Sequence, residues 1–478
     1  MNVHLLHRRQ LLRLAGGSLA ATIGAGGLSL MTARSARAQA DYKALVCLFL
    51  YGGNDGTNMV VPSDLSRYNQ YQAVRGALAL PRNSLVALGS TDFGLHPAMS
   101  ALAPAWASGS LAPVFNVGPL YAPVSKAELR GAAPSSPLVP DSLFSHSDQQ
   151  VLWETGTTSA LERTGWGGRA ASAFAAGPPE ASPVISVGGN GRFGLSSVGA
   201  PLVLPQPGAT FGLEGLGGTS NPVALRKAAL TALYAQAQTS TLGDVYAQRQ
   251  RDAMAMADRL GSLVKVLPGD GLVSAIDTAF APLTNGSGAL TTRLGAQLYQ
   301  VAKLINGRGT VGGNRHIFFA QMGGFDTHGS QIGTDSQTGS HAQLLKEMAD
   351  AMACFQAAMV ALGMADQVTL FTQSDFGRTF KPNSSTGTDH AWGNHHLVMG
   401  GAVQGGATHG VYPELVLGGP DDIGADSWEL HGRWIPSSSV DQYAATLLGW
   451  MGASDSQLNA VLPNLPNFGT ARNLGFLT

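Results

Sequence analysis

The chain has 478 residues, 44% of them hydrophobic and only 12% charged, with 29 basic against 30 acidic side chains. That balance lacks the basic footprint of a nucleic-acid binder, and two cysteines are too few for a disulfide framework or a thiolate zinc site. Glycine, at 62 residues, suits a loop-rich secreted enzyme better than a helical bundle.

Residues 1–40 read as an export leader. Arg8 and Arg9 form a twin arginine, followed by Leu11, Leu12 and Arg13, and a Gly/Ala/Leu-rich stretch runs from Leu14 to Met31. Small residues at Ala36, Ala38 and Ala40 offer cleavage sites, so the twin-arginine translocase is the expected export partner. The stretch is too rich in Gly for a stable span, and no stable membrane insertion is expected after cleavage. The expected location is periplasmic or secreted. Removing five arginines leaves 24 bases against 30 acids, a mature net charge near −6.

Beyond the leader, strand-like and helix-like segments alternate. Asp41–Tyr51 is a near-continuous apolar run, as in a strand buried on both faces, and Asn54 and Asp55 follow it. Ala112–Val117 reads as a second strand and Pro183–Val187 as a third. Between the last two, Ser145-His146-Ser147-Asp148 opens a helix-like stretch, Gln149–Glu154. A hydroxyl at that helix start lies where backbone N–H groups favour anions, which suits a nucleophile on a phosphoryl or sulfuryl centre. By frequency, a serine placed as Ser145 or Ser147 is more often merely an N-cap.

Residues 200–310 read as a loop and helical insertion within a domain spanning 41–478. A Gly/Pro-rich loop (Pro201–Thr219) precedes helices over Asn221–Leu267 and Thr291–Ile305. Strands then follow at Asn314–Gln321, Gln367–Gln373 and His396–Ala402, with helices at His341–Leu362 and Ser439–Met451. This alternation predicts an α/β fold with a mostly parallel sheet. Cys47, in the first strand, and Cys354, in a helix, read as small core residues.

In such a sheet the carboxyl ends of the strands lie along one edge, where ligands bind. Asp55 follows the first strand, while Asp326 and His328 follow Asn314–Gln321. Asp375 follows Gln367–Gln373, and Asp389 and His390, then His395 and His396, lead into the last strand. Their convergence would give a divalent-metal centre of zinc or manganese type, holding one or two ions. Asp389 would be a supporting partner of the ligands. Arg378 could bind an anionic oxygen pair or simply pair with Asp375.

Five segments run in a characteristic order: Tyr51-Gly52-Gly53-Asn54-Asp55-Gly56, Phe144-Ser145-His146-Ser147-Asp148-Gln149-Gln150, Gly324-Phe325-Asp326-Thr327-His328, Ser374-Asp375-Phe376-Gly377-Arg378-Thr379 and Gly387-Thr388-Asp389-His390. Together they resemble the twin-arginine-exported bacterial family called domain of unknown function 1501, which is similar to the alkaline phosphatase-like superfamily. The resemblance covers essentially all of the mature chain and implies an α/β/α sandwich with metal at the strand ends. It implies that Asp55 and Asp375 bind one metal and that Asp326, His328 and His390 bind another. It also makes Ser145 the counterpart of the superfamily's hydroxyl nucleophile. Phe376 stands where superfamily phosphatases carry a histidine, which weakens the second metal position. The expected function is metal-dependent hydrolysis of a phosphate, or less readily sulfate, ester on a small molecule or polymer. The alternative is a non-catalytic exported protein with a structural or binding role in the cell envelope.

Overall fold

The computed structural model describes residues 41–89, 91–174, 184–212, 215–216, 220–236 and 240–478, so the leader lies outside the described residues. The strands in chain order are β1 (Lys43–Leu50), β2 (Val60–Pro62), β3 (Val86–Ala87), β4 (Phe93–Leu95), β5 (Leu111–Gly118) and β6 (Val184–Ser186). They continue with β7 (Leu202–Val203), β8 (Arg315–Met322), β9 (Val368–Ser374), β10 (Asn394–Met399), β11 (His409–Gly410) and β12 (Ser438–Ser439). The main sheet runs β11-β5-β10-β9-β1-β8-β6-β7, with β12 also on β5, and β2-β4-β3 form a separate small sheet.

The main sheet is mostly parallel. β9 lies parallel on β1, in register from Ala44 opposite Val368 to Leu50 opposite Ser374. β6 is parallel to β8, β7 to β6, and both β11 and β12 to β5. β10 is the exception, antiparallel to both β9 and β5. Its reversed direction puts its first residues, rather than its last, at the edge where β9 ends.

Burial explains the apolar run of β1. Leu45, Cys47 and Phe49 join a core cluster with residues of the helices Trp166–Phe174 and Val440–Trp450. The intervening Val46 and Leu48 point to the other face and are equally buried. On the β8 side, the helix Arg293–Asn306 packs against that strand and against the helix Ser340–Ala361. Cys47 and Cys354 are both free and buried in these layers.

Element ends fall within a residue or two of the expected ones, with three exceptions, one being the helix expected at Gln149–Glu154, which starts three residues earlier at His146. The single helix expected over 221–267 is two, Asn221–Ala235 and Thr241–Lys265, because Ser240 starts a new one by accepting from Gly243 N. The last strand starts earlier than expected, at Asn394, and ends at Met399. Among the described residues, no helix is long and apolar enough to cross a membrane.

The helix Val440–Trp450 carries one buried carboxyl. Burial pushes the Asp441 carboxyl up to about 7, against weaker opposing effects of the Asn464 backbone N–H and of Arg169. A folded value above the ordinary one means that this residue's stabilising contribution is complete below about pH 4 and is lost as the pH rises through about 7. Asp441→Asn should therefore raise the melting temperature at pH 8 and leave it nearly unchanged at pH 4, as read by calorimetry at the two pH values.

Candidate metal centre

Three histidines and one aspartate converge at the carboxyl edge of the sheet. Ligand atoms of His146, Asp326, His328 and His390 all lie within 4.8 Å of one another. The site is open to solvent: the Asp326 and His328 side chains are 46% and 45% exposed, His146 is 29% and His390 20%. This His/Asp cluster could bind a metal ion.

Each residue reaches the cluster by a separate local route. Asp326 and His328 sit in the turn after β8, which Tyr51 and Phe325 join to the end of β1 through Tyr51 N to Met322 O (2.8 Å) and Phe325 N to Tyr51 O (3.2 Å). His390 lies on the connection between β9 and β10. There Gly377 N donates to Trp392 O (3.0 Å), Ala391 N to Gly377 O (2.9 Å) and Thr379 N to Asp389 O (2.9 Å), making a short irregular ribbon. His146 is the first residue of the helix His146–Thr155, with Ser145 as its N-cap.

The imidazole tautomers follow from what each Nδ1 meets. His390 Nδ1 donates to Phe144 O at 2.7 Å, and a carbonyl can only accept. His328 Nδ1 is 2.9 Å from Asp389 Oδ1, which also accepts from Asn383 Nδ2 at 3.0 Å. Burial alone would raise the Asp389 carboxyl, but the hydrogen bonds of Asn383 and His328 outweigh it and hold the group below the ordinary carboxylate range, as an ionised acceptor. His146 Nδ1 donates to Asp375 Oδ2 at 2.7 Å. Gln150 Nε2, one helical turn on, donates to the same oxygen at 3.0 Å.

With all three Nδ1 atoms carrying hydrogen, each ring in its neutral form presents an Nε2 lone pair, and these point at Asp326 Oδ1. The distances are 3.1 Å from His328, 3.2 Å from His146 and 3.3 Å from His390. His328 Nε2 and His390 Nε2 are 2.8 Å apart. His146 Nε2 is buried, and despite its closeness to Asp326 it has no aligned hydrogen-bond partner. Holding one imidazole nitrogen by a carboxylate or carbonyl while the other faces a common point is how proteins orient metal-ligating histidines.

Electrostatics act differently on each member of the cluster. Burial works to raise the Asp326 carboxyl, but the hydrogen bond and charge of Arg378, with His146 and His328, bring it down to about 2. Asp326 is therefore anionic at any physiological pH. The hydrogen bond to Asp375, opposed by burial, raises His146, whereas burial lowers His390. The Phe376 ring backs both imidazoles, with centroids 4.8 Å from His146 and 4.5 Å from His390.

Of the expected site residues, Asp326, His328 and His390 come together here. Asp375 is buried beside them and serves His146, Gln150 and Gly52 N (3.2 Å). Asp55 is committed elsewhere. Its two oxygens accept from Arg75 Nη2 (2.6 Å) and Nη1 (2.8 Å), Gln331 adds a bond at 2.6 Å, and both ionic side chains are fully buried. Arg378 is likewise buried, donating to Asp326 Oδ1 (2.5 Å) and to the carbonyls of Gly52, Gly53, Phe325 and Thr388. The Ser145 hydroxyl pairs with that of Ser147 at 3.0 Å. His395 stacks on Tyr412, and His396 is buried against Trp153. His146 is the cluster member that the sequence pattern conceals, because Ser-His-Ser-Asp draws attention to its hydroxyls.

Fold and site together define an α/β protein with a potential metal centre at the carboxyl edge of a mostly parallel sheet. The chain belongs to the family described as Protein of unknown function (DUF1501), whose profile matches residues 42–419. A comparison with curated proteins finds no match.

The Asp55–Arg75 pair separates scaffold from site. Arg75→Ala would leave a carboxylate buried without its cation, which costs about 3–5 kcal/mol. A stability loss of that size in urea unfolding is expected; a loss under about 1 kcal/mol would show that Gln331 and Asn58 suffice to hold Asp55.

Proposed function

We propose that this chain is an exported, metal-dependent hydrolase of a phosphate, less readily a sulfate, ester, built on an alkaline phosphatase-like α/β/α sandwich. Export by the twin-arginine translocase would place it in the periplasm or outside the cell, on the strength of the Arg8-Arg9 leader. The observation that carries the reading is the convergence of three Nε2 atoms on one carboxylate, each ring fixed through its Nδ1. A nitrogen-rich set with one oxygen ligand suits zinc, with manganese the next candidate. One ion is favoured over two: Asp55 faces Arg75, and Asp375 is taken up by His146, Gln150 and Gly52 N.

Such an ion, when bound, polarises a phosphoryl oxygen and makes a water nucleophilic near neutral pH. The chain's own residues do the rest. Asp375, Asp389 and Phe144 O hold the three rings in one tautomer, and Arg378 aims the Asp326 carboxylate. The partial exposure of Asp326 and His328 leaves a face for substrate. Water is the attacking group in this reading, since the Ser145 hydroxyl is paired with another hydroxyl rather than with a base.

Mature protein should carry about one equivalent of zinc or manganese by elemental mass spectrometry. It should hydrolyse p-nitrophenyl phosphate, and stripping with a chelator should abolish turnover and lower the melting temperature. Asp326→Ala and His146→Ala should each lose at least about tenfold in metal affinity. Full metal retention in both variants would sink the ligand set. Ser145→Ala should keep kcat within about tenfold, whereas a loss of a thousandfold or more would make Ser145 the nucleophile.

One observation favours the non-catalytic alternative: the Arg378 side chain is fully buried, and its three nitrogens all donate to protein oxygens. Metal bound without turnover of any ester would support an envelope-binding role.

A further inference from the structure

A second arginine stands beside the cluster and is held very differently from Arg378. Asp422 is fully buried and gathers backbone N–H groups from one loop. It accepts from Gly418 (2.9 Å), Gly424 (3.2 Å), Gly432 (3.2 Å) and Arg433 (3.1 Å). An acceptor-only carboxylate with four main-chain donors fixes the loop's course, and so fixes where the Arg433 side chain leaves it. That side chain is then restrained twice more. Its Nε donates to His390 O at 3.0 Å, and its guanidinium lies over the Phe144 ring, 4.4 Å from the centroid. Both contacts are to residues that build the metal centre, since Phe144 O holds His390 Nδ1.

What remains unengaged is the fork. Among the described residues, the two Nη groups of Arg433 make no hydrogen bond or ion pair, and the residue is only half-buried. The nearest acids do not pair with it directly. Asp389 is hydrogen-bonded to His328 and Asn383, while Glu429 pairs with Arg130 at 2.8 Å. A planar cation with four N–H groups facing solvent, already ordered by Nε and an aromatic face, matches a tetrahedral oxyanion two bonds at a time. Its ordering entropy has been met in advance by the fold, which raises affinity.

We propose that Arg433 binds the non-transferred oxygens of a phosphoryl-type substrate group at the centre, the role its buried neighbour Arg378 is not free to take. This rests on the hydrolase reading above and names the residue that confers preference for anionic esters over neutral ones.

The test uses mature full-length protein and inorganic phosphate as the probe, titrated by calorimetry alongside metal analysis. Wild-type protein should bind phosphate. Arg433→Gln should keep its metal content and melting temperature while its phosphate Kd rises about tenfold or more. Arg433→Lys, which keeps the charge but not the fork, should fall between the two. Unchanged phosphate affinity in Arg433→Gln overturns the proposal, as does wild-type protein that binds no phosphate at millimolar concentration. Loss of metal together with phosphate would make Arg433 a positioning residue for His390, which also overturns it. Should Arg433→Gln fail to fold, unchanged affinity in Arg433→Lys counts against the proposal and a severalfold loss supports it. If wild-type protein holds no metal yet its phosphate binding depends on Arg433, the metal reading falls and this one stands.

Discussion

The guanidinium of Arg378 is the interaction on which the site depends. A buried arginine must satisfy its donors, and this one does so with the carbonyls of Gly52 and Gly53 after β1, Phe325 after β8 and Thr388 before β10. Those carbonyls lie just beyond the strands, where the sheet ladder no longer provides partners. Its last bond, to Asp326 Oδ1 at 2.5 Å, aims the carboxylate of the cluster. Three strand-end turns thus become one rigid rim. Gly52 has a φ of +112°, and a Cβ there would lie 2.4 Å from Asp326 N, so the turn after β1 requires a residue without one.

Two carboxylate–arginine pairs lie at this edge of the sheet, and exposure separates their roles. In Asp55–Arg75 both side chains are 0% exposed, so the charges satisfy each other in a dry setting and the pair acts as scaffold. In Asp326–Arg378 the guanidinium is 0% exposed and the carboxylate 46%. The cation faces inward and the anion outward. Asp326 therefore keeps a negative face toward solvent while its position is set from behind.

Most of this edge is legible in the sequence, because strand-end placement follows from apolar runs and their ends. Asp326, His328 and His390 come from that pattern, as does Asp389 in a supporting position, whereas Asp375, expected as a ligand, holds His146 instead. What sequence pattern cannot supply is the partner of each group. Nothing near Asp55 announces that Arg75, 20 residues on, will take both its oxygens. Nothing near His146 announces an Asp375 that is 229 residues away. The signal for His146 was present in its i, i+4 relation to Gln150, since both side chains reach the same carboxylate oxygen. The same limit applies to Arg378, whose five hydrogen bonds become visible only once the surrounding oxygens are in place.

The cluster breaks a rule that the rest of the protein keeps. Buried or half-buried acceptors are normally given donors, yet here three imidazole lone pairs crowd round a carboxylate oxygen whose donor is Arg378, all within 4.8 Å. The crowding is enforced: Asp375, Asp389 and Phe144 O each hold a ring in the tautomer that turns its lone pair inward. One added proton shared between His328 and His390 would relieve their 2.8 Å contact but would leave His146 Nε2 without a partner. A second proton would add charge beside Arg378. A single dication satisfies all four acceptors at once, and departures from local rules of this kind concentrate at functional sites. The cluster could therefore bind a cation, and the hydrogen bonds that fix its rings are what give it that capacity.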